Sequence, residues 1–571
     1  MGGILHPRTP ATYGVTAKSA SWRKPGLVEM GVMGVMGIMG IMGWMGIMGW
    51  MGDDGKRIKI GGKGGKGVEK SVTLREMSKL SRNTVALVLR TLVSVVIGLV
   101  TSRLVLSALG VDAYGLYAVL TSLVSMLDFV NLCMSGATTR YLSYELGKGK
   151  AGNPGGILRS SFRLSILLAV VLLLLAESAG LWYVSDAVSS GGESAETVMF
   201  VYQMIVLGGI IGVVRTPAAA WLLSRERMTD YARIEIGSAL MRLAAVVSLF
   251  YGIFGNGIKV YAVLILAVST ATTLIYLMSI RNDMREYGGE SERSQIRSIV
   301  GYSLVDMFGY AAVLFHSQGI MLVMNLVYGL AANAALALAK AVELGTSGLV
   351  SAVSTAARPR LIGLYARGEK GRLGELLEKS TMTSGIFYLA IVIPLILNTE
   401  YLLGLWLGEV PAETVVMTQV LLFASYLQIV NNNIINVIHA SGKIAGLSFG
   451  TGAVYMTAPF AVYVASLYGI DAGWSLTVLI PIYASVTTVS FGLARKYLPK
   501  DNVRTMLLRV LLPTVAAGGA MLAGLSGLNR LFGGGMLQLI ADVAASAVLT
   551  GGLFLLMAFM RGWRVLGREK P

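Results

Sequence analysis

Charge is scarce in this sequence. Asp, Glu, Lys and Arg make up 14% of its 571 residues, against roughly 25% in a soluble globular protein. With a mean hydropathy of +0.67 and apolar runs of about twenty residues, long enough to span a bilayer, the deficit excludes a soluble enzyme, a disordered chain and a secreted disulfide scaffold. Cysteine is nearly absent: Cys133 has no partner for an internal disulfide, and there is no CxxC pair. Histidine is as rare, and His6, His316 and His439 lie too far apart in the chain to suggest a zinc site. No metal, no cofactor and no enzymatic activity are expected, and no ATP site is visible. The apolar runs lack the period-2 alternation of a transmembrane β-barrel. What remains is a helical membrane protein. Its net charge of +17 marks cytoplasmic loops rather than a nucleic-acid partner.

The first 76 residues stand apart. Met30 to Gly52 repeats a Met-Gly-apolar triplet, uncharged and long enough to span a bilayer. A period of three does not track the 3.6-residue helix, and each glycine costs a helix about 1 kcal/mol. Asp53-Asp54, not a signal-type cleavage site, follows. The tract reads as low-complexity sequence ahead of an alternative start at Met77. Gly61 to Gly67 lacks phosphate-loop spacing and has Gly67 where Ser or Thr should hold magnesium, so it reads as a flexible basic linker.

From Ser81 onward fourteen apolar segments, from 83–108 to 536–560, approach the length that crosses about 30 Å of hydrocarbon. Alternate loops differ in charge. One set carries Arg140, Lys148, Arg225, Arg227, Arg281, Arg285, Arg358, Arg367, Lys370, Arg372, Arg495 and Lys496. The other carries only Lys259 and Arg530, with Asp112, Asp186, Glu196, Glu409, Glu413 and Asp471. A miscounted helix would scramble this asymmetry, which predicts cytoplasmic termini.

An internal repeat is visible. At an offset of 219 residues Gly110 falls on Gly329, and Arg140 to Gly149 falls on Pro359 to Gly368; Gly257-Ile258 falls on Gly469-Ile470 at an offset of 212. Two six-helix halves and a trailing pair follow: 77–290, 291–498 and 499–571, after the 1–76 extension. Six is even, so the halves run parallel, an arrangement used by alternating-access transporters that rock around a central cavity.

Ionisable residues inside the spans are costly and face a cavity or a partner. Arg90, Arg215, Arg242 and Lys340 are the deep cations and the candidate substrate-binding residues. Guanidinium groups suit phosphate oxygens because they donate bidentately. Asp128, Asp306 and Glu343 are fewer and are the candidates for a coupling proton or sodium ion. Lys340 and Glu343, three residues apart, also fit a simple pair on one helix face. Arg103 and Glu235 near span ends read as snorkelling side chains, a reading open to Arg215 too. His316 reads as a hydrogen-bonded packing residue ahead of a proton relay. Asn431-Asn432-Asn433 interrupts its apolar segment and reads as polar glue between helices.

The stretch from Asn83 through Thr101 to Tyr117 (TSRLVLSALGVDAYGLY) and on to Ala137 to Gly149 (ATTRYLSYELGKG) resembles polysaccharide-biosynthesis flippase-like proteins of the multidrug/oligosaccharidyl-lipid/polysaccharide exporter superfamily. Pro394 to Pro411 and His439-Ala-Ser-Gly-Lys443 carry the same resemblance. It implies an all-α, two-lobed exporter in a bacterial inner membrane. It also implies a lipid-linked oligosaccharide substrate, such as an O-antigen or capsular repeat unit on a polyprenyl diphosphate, with glycan-assembly proteins as possible partners. No motif of the family transfers individual substrate residues to this chain. A multidrug or cation exporter on the same fold is the alternative, and it favours an acid-lined cavity.

Overall fold

The computed structural model describes residues 74–126, 129–148, 152–186, 192–250, 257–287, 293–441, 444–499, 506–532 and 535–560, all within the unit Val68–Pro571. The Met-Gly tract, the glycine-lysine linker, Asp128, Lys443 and Arg564 lie outside them. The described residues are helical, with no strand.

The first half contains α1 (Leu74–Leu109), α2 (Val111–Met126), α3 (Phe129–Gly147), α4 (Pro154–Leu175), α5 (Leu181–Asp186), α6 (Ala195–Ser224), α7 (Met228–Phe250) and α8 (Gly257–Glu286). The second contains α9 (Arg293–Tyr328), α10 (Leu330–Ala366), α11 (Lys370–Leu397), α12 (Thr399–Leu407), α13 (Thr414–Ser441), α14 (Ala445–Tyr455), α15 (Thr457–Leu467), α16 (Ala472–Ser475) and α17 (Leu479–Ala494). Two helices trail, α18 (Leu512–Phe532) and α19 (Met536–Met560). The described part of every expected segment is mainly helical, but 381–401 is broken by a turn at Asn398 and 443–467 by a turn at Met456. Among the described residues nine helical stretches are long and apolar enough to cross a membrane, and four more are apolar but shorter. α7 belongs to neither group because Asp230, Arg233, Glu235 and Arg242 lie in it.

Local chemistry sets several of the ends. Asn153 caps α4 by accepting from the Gly156 amide at 2.8 Å, and Pro154 takes the first helical position, where its missing N–H is not needed. Ser194 caps α6 by accepting from the Thr197 amide at 3.2 Å. Between α4 and α5 one π-helical turn, Ala176–Gly180, replaces α geometry. The Tyr202 hydroxyl donates to the Ala176 carbonyl at 2.7 Å there, so a carbonyl within the turn gains a side-chain partner.

The run Asn431 to Asn433 does not interrupt its helix; α13 continues through it. The backbone bonds within the helix, so polar side chains alone do not break it. Asn431 and Asn433 are buried, and Asn433 donates to the Ile429 carbonyl one turn back at 3.2 Å.

The repeat has a structural counterpart. Gly110 is the single residue between α1 and α2, with φ +82°, and Gly329 is the single residue between α9 and α10, with φ +83°. Glycine enters that region without the Cβ clash other residues suffer. The two turns lie at one place on the seam between the halves. A Cβ on Gly115, in the second turn of α2, would overlap the Leu330 carbonyl at the start of α10. Elsewhere on the seam Trp406 Nε1 donates to the Leu99 carbonyl at 3.0 Å, and the Tyr183 hydroxyl to the Leu322 carbonyl at 3.1 Å. Leu106, Leu338, Leu403 and Trp406 form one buried cluster across it.

The trailing pair docks on the second half through polar contacts inside an apolar interface. Asn398 Nδ2 donates to Asp542 Oδ2 at 2.7 Å, the Ser546 hydroxyl donates to the Ala390 carbonyl at 2.8 Å, and Tyr426 bonds Thr514. Asp542 is fully buried.

Candidate functional site

In the first half, α7 organises the deep charges. Tyr231 and Glu235 are four residues apart and share a face, and Arg242 continues the same stripe two turns later. Arg90 reaches from α1 to donate to the Tyr231 hydroxyl at 3.1 Å, with its guanidinium carbon 5.4 Å from the ring centroid. Arg215 reaches from α6 to within 5.9 Å of the centroid of Tyr276 on α8. The Tyr276 hydroxyl donates to Glu235 Oε1 at 2.7 Å, and the two tyrosine rings stand 6.3 Å apart. Two cations, two aromatic faces and one carboxylate therefore converge from four helices. Arg90 keeps its Nε buried with no hydrogen-bond partner. Such an atom is costly to leave unbonded, and it marks donor capacity unused inside the protein.

Nearby elements hold this cluster in place. Thr216, beside Arg215, donates to Asn131 Oδ1 at 2.6 Å. Pro217 removes the amide that would otherwise bond one turn back in α6. At the basic end of the half, Asp283 on α8 accepts from Trp221 Nε1 at 2.8 Å, from Arg225 at 3.0 Å and from Arg227 at 3.0 Å. This knot ties the turn between α6 and α7 to the end of α8. Arg225 and Arg227 were expected as loop cations; their carboxylate partner was not.

Arg242 is not part of the cluster. It lies further along α7, exposed, beside Tyr117 and Tyr261, whose rings meet tilted by 58° with centroids 4.7 Å apart. Glu235, half-buried, accepts from Tyr276 on the neighbouring helix.

The second half gathers a separate group at mid-depth. Lys340 on α10 donates to the backbone carbonyl of Ser317 on α9, with the Ser317 hydroxyl 3.5 Å away. Glu343, one turn on, accepts from Ser425 on α13. The two thus take different partners rather than forming a simple pair. His316 is buried, shares a hydrogen bond with the Tyr483 hydroxyl at 2.9 Å, and packs 5.1 Å from the Tyr455 ring. That is the hydrogen-bonded packing role expected of it, although its Nδ1 is buried without a partner. Tyr388 closes the group by donating to the Leu422 carbonyl at 2.8 Å. Asp306 lies in α9. Among the described residues no three His, Cys, Asp or Glu side chains gather to hold a metal ion.

The expected cations therefore divide: Arg90 and Arg215 meet, Arg242 stands alone, and Lys340 belongs to the other half. Tyr231, Tyr276, Ser317, Ser425 and Tyr483 were not foreseen. The four-residue spacing of Tyr231 and Glu235, which puts them on one helix face, was the available signal.

No family model matches the chain, and no curated protein matches it. Solved structures do. The lipid II flippase MurJ in an inward closed conformation aligns with TM-score 0.62 at 11% identity, over 83% of this chain and 98% of that one. An inward-facing multidrug resistance MATE family transporter of the MOP superfamily aligns with TM-score 0.59 at 14% identity, over 71% and 94%. The eukaryotic MATE transporter AtDTX14 aligns with TM-score 0.55 at 16% identity, over 76% and 99%. The chain has the all-helical fold shared by these solved transporter structures.

Proposed function

We propose that this protein moves a lipid-linked oligosaccharide, such as an O-antigen or capsular repeat unit on a polyprenyl diphosphate, across a bacterial inner membrane by alternating access, with both termini cytoplasmic. The observation that carries the reading is the convergence of Arg90 and Arg215 on the Tyr231–Tyr276 pair. Guanidinium forks match diphosphate oxygens, and tyrosine faces suit sugar rings. A bound diphosphate takes over the donors that Arg90 gives to Tyr231 and leaves unused at Nε. The lipid tail stays in the bilayer while the head crosses. The glycine turns at the seam supply the pivot for the two lobes. In this reading the energy comes from an ion gradient or from consumption of the product outside, and Glu343 takes the coupling proton or sodium ion. Asp128 and Asp306 are the other candidates for that role, and Arg242 and Lys340 extend the cationic path.

The second reading, a multidrug exporter, is favoured by one feature: Glu343 lies in a half lined by Tyr388, Tyr455 and Tyr483, and aromatic faces attract organic cations.

The test is analysis of lipid-linked glycans in a deletion strain, with complementation by the full chain and by the form starting at Met77. Precursor accumulating on the cytoplasmic leaflet, relieved by either form, supports the flippase. An unchanged precursor pool together with restored efflux of cationic dyes supports the exporter.

A further inference from the structure

The first half closes one of its basic turns with a carboxylate. Glu145, near the end of α3, takes Lys148 at 2.6 Å on one oxygen and the Asn153 amide at 2.9 Å on the other. At the repeat offset, Glu145 falls on Leu364, a buried leucine near the end of α10. The second half therefore has no carboxylate at the equivalent place. What it has is a cavity of about 200 Å³ lined by Tyr365, Gly368, Lys370, Leu373, Lys496 and Tyr497, room for a phosphate group and several waters at about 30 Å³ each.

The lining is suited to an anion. Lys370 opens α11 and Lys496 follows α17, so residues more than a hundred apart bring two ammonium groups to one cavity. No acidic side chain lines it. The adjacent carboxylate, Glu369, is turned to Arg372 at 2.9 Å and Arg367 at 3.5 Å. Among the described residues neither lysine has an ion-pair partner. Tyr365 and Tyr497 meet edge to face at 5.8 Å, giving the cavity an apolar wall with hydroxyls, the composition favoured at a membrane–water boundary. The cavity opens at the end of the bundle where the basic loops gather.

We infer that this cavity binds a phosphate group, carried by an anionic lipid headgroup or free in solution, between Lys370 and Lys496. The ligand does for the second half what Glu145 does for the first: it joins the turn between α10 and α11 to a basic partner, here the end of α17. The inference is independent of the transported substrate.

The test uses the purified full chain in detergent, titrated separately with dihexanoyl phosphatidylglycerol, dihexanoyl phosphatidylcholine and inorganic phosphate. The double variant K370Q/K496Q should bind phosphatidylglycerol about tenfold or more weakly than wild type, since each lysine near a headgroup contributes roughly a factor of five. K370R/K496R should retain binding, and K259Q, in the first turn of α8, should behave as wild type. Phosphatidylcholine should not bind. Loss of inorganic phosphate binding in the double variant assigns the site to the free anion as well; binding of phosphatidylglycerol alone assigns it to the lipid. Equal binding by wild type and K370Q/K496Q, or no binding of either anion by wild type, overturns the inference. Both lysines are exposed, and an unchanged melting temperature without ligand shows that the variants fold.

Discussion

Arg90 and Tyr231, 141 residues apart in sequence, are joined by a 3.1 Å hydrogen bond that links α1 to α7. The bond is the first contact a phosphate-bearing head has to replace if it is to reach the Arg90 fork. Arg90→Ala should therefore lower transport at least tenfold, the scale of one lost charge-assisted hydrogen bond at about 1.5–3 kcal/mol. Tyr231→Phe, which keeps the ring and frees the guanidinium, should lower it far less. Export of labelled lipid-linked glycan from cells measures both. Wild-type export from an Arg90→Ala, Arg215→Ala double variant removes these residues from the substrate path.

Lys in place of Arg215 separates charge from shape. An ammonium keeps the charge but loses the two-pronged donor. If bidentate contact with phosphate matters, Arg215→Lys should fail nearly as badly as Arg215→Ala. Near-complete rescue would mean that only the positive charge is used.

Glu343→Gln keeps the hydrogen-bonding shape beside Ser425 and removes the titratable group. Transport in proteoliposomes driven by an imposed proton or sodium gradient should fall to the level seen without a gradient, while binding of the substrate head persists. Undiminished gradient-driven transport would dismiss Glu343 as the coupling group.

Gly115→Ala should destabilise the seam. Its new methyl overlaps the Leu330 carbonyl, and overpacking of this kind costs about 1–3 kcal/mol. Thermal unfolding in detergent should show a lower midpoint. Ala at Gly136, which faces open space, is the matched control and should leave the midpoint unchanged.

The Glu145 clasp gives a pH dependence outside the membrane spans. The Lys148 ammonium, and then the Asn153 amide, hold the Glu145 carboxyl below its ordinary value of 4.5. A carboxyl depressed in the folded state contributes stability above its unfolded value and loses it as pH falls through the folded one. The protection factor of the Asn153 amide, its exchange rate relative to an unstructured amide at the same pH, should therefore stay high at neutral pH and fall below about 4.5, the ordinary value. Glu145→Gln should show low protection at both pH values. A pH-independent protection factor in wild type would show that the clasp does not order this turn.

The helices were legible because a bilayer imposes one length and one polarity on every crossing segment. The repeat was legible because a turn of one residue with positive φ leaves few choices besides glycine, so Gly110 and Gly329 stand out at a fixed spacing. The clusters were less legible. Arg90 and Arg215 could be named as costly residues, but nothing along the chain says that Tyr231 and Tyr276 bring them together. Asp542 was passed over although it is an acid within an apolar run, because its partner, Asn398, is 144 residues away. The asparagine run was legible as polar residues within one span, and α13 continues through it because its peptide groups bond to one another whatever the side chains.

The Asp283 knot has a mechanical side. One carboxylate receives an indole from the last turn of α6 and two guanidinium groups from the α6–α7 turn. A pull on α7 is thus transmitted to α8 before it can separate the pair. The basic end of the first half is thus fastened at one point, and the indole of Trp221, bonded to that same carboxylate, is a reporter built into the fastening.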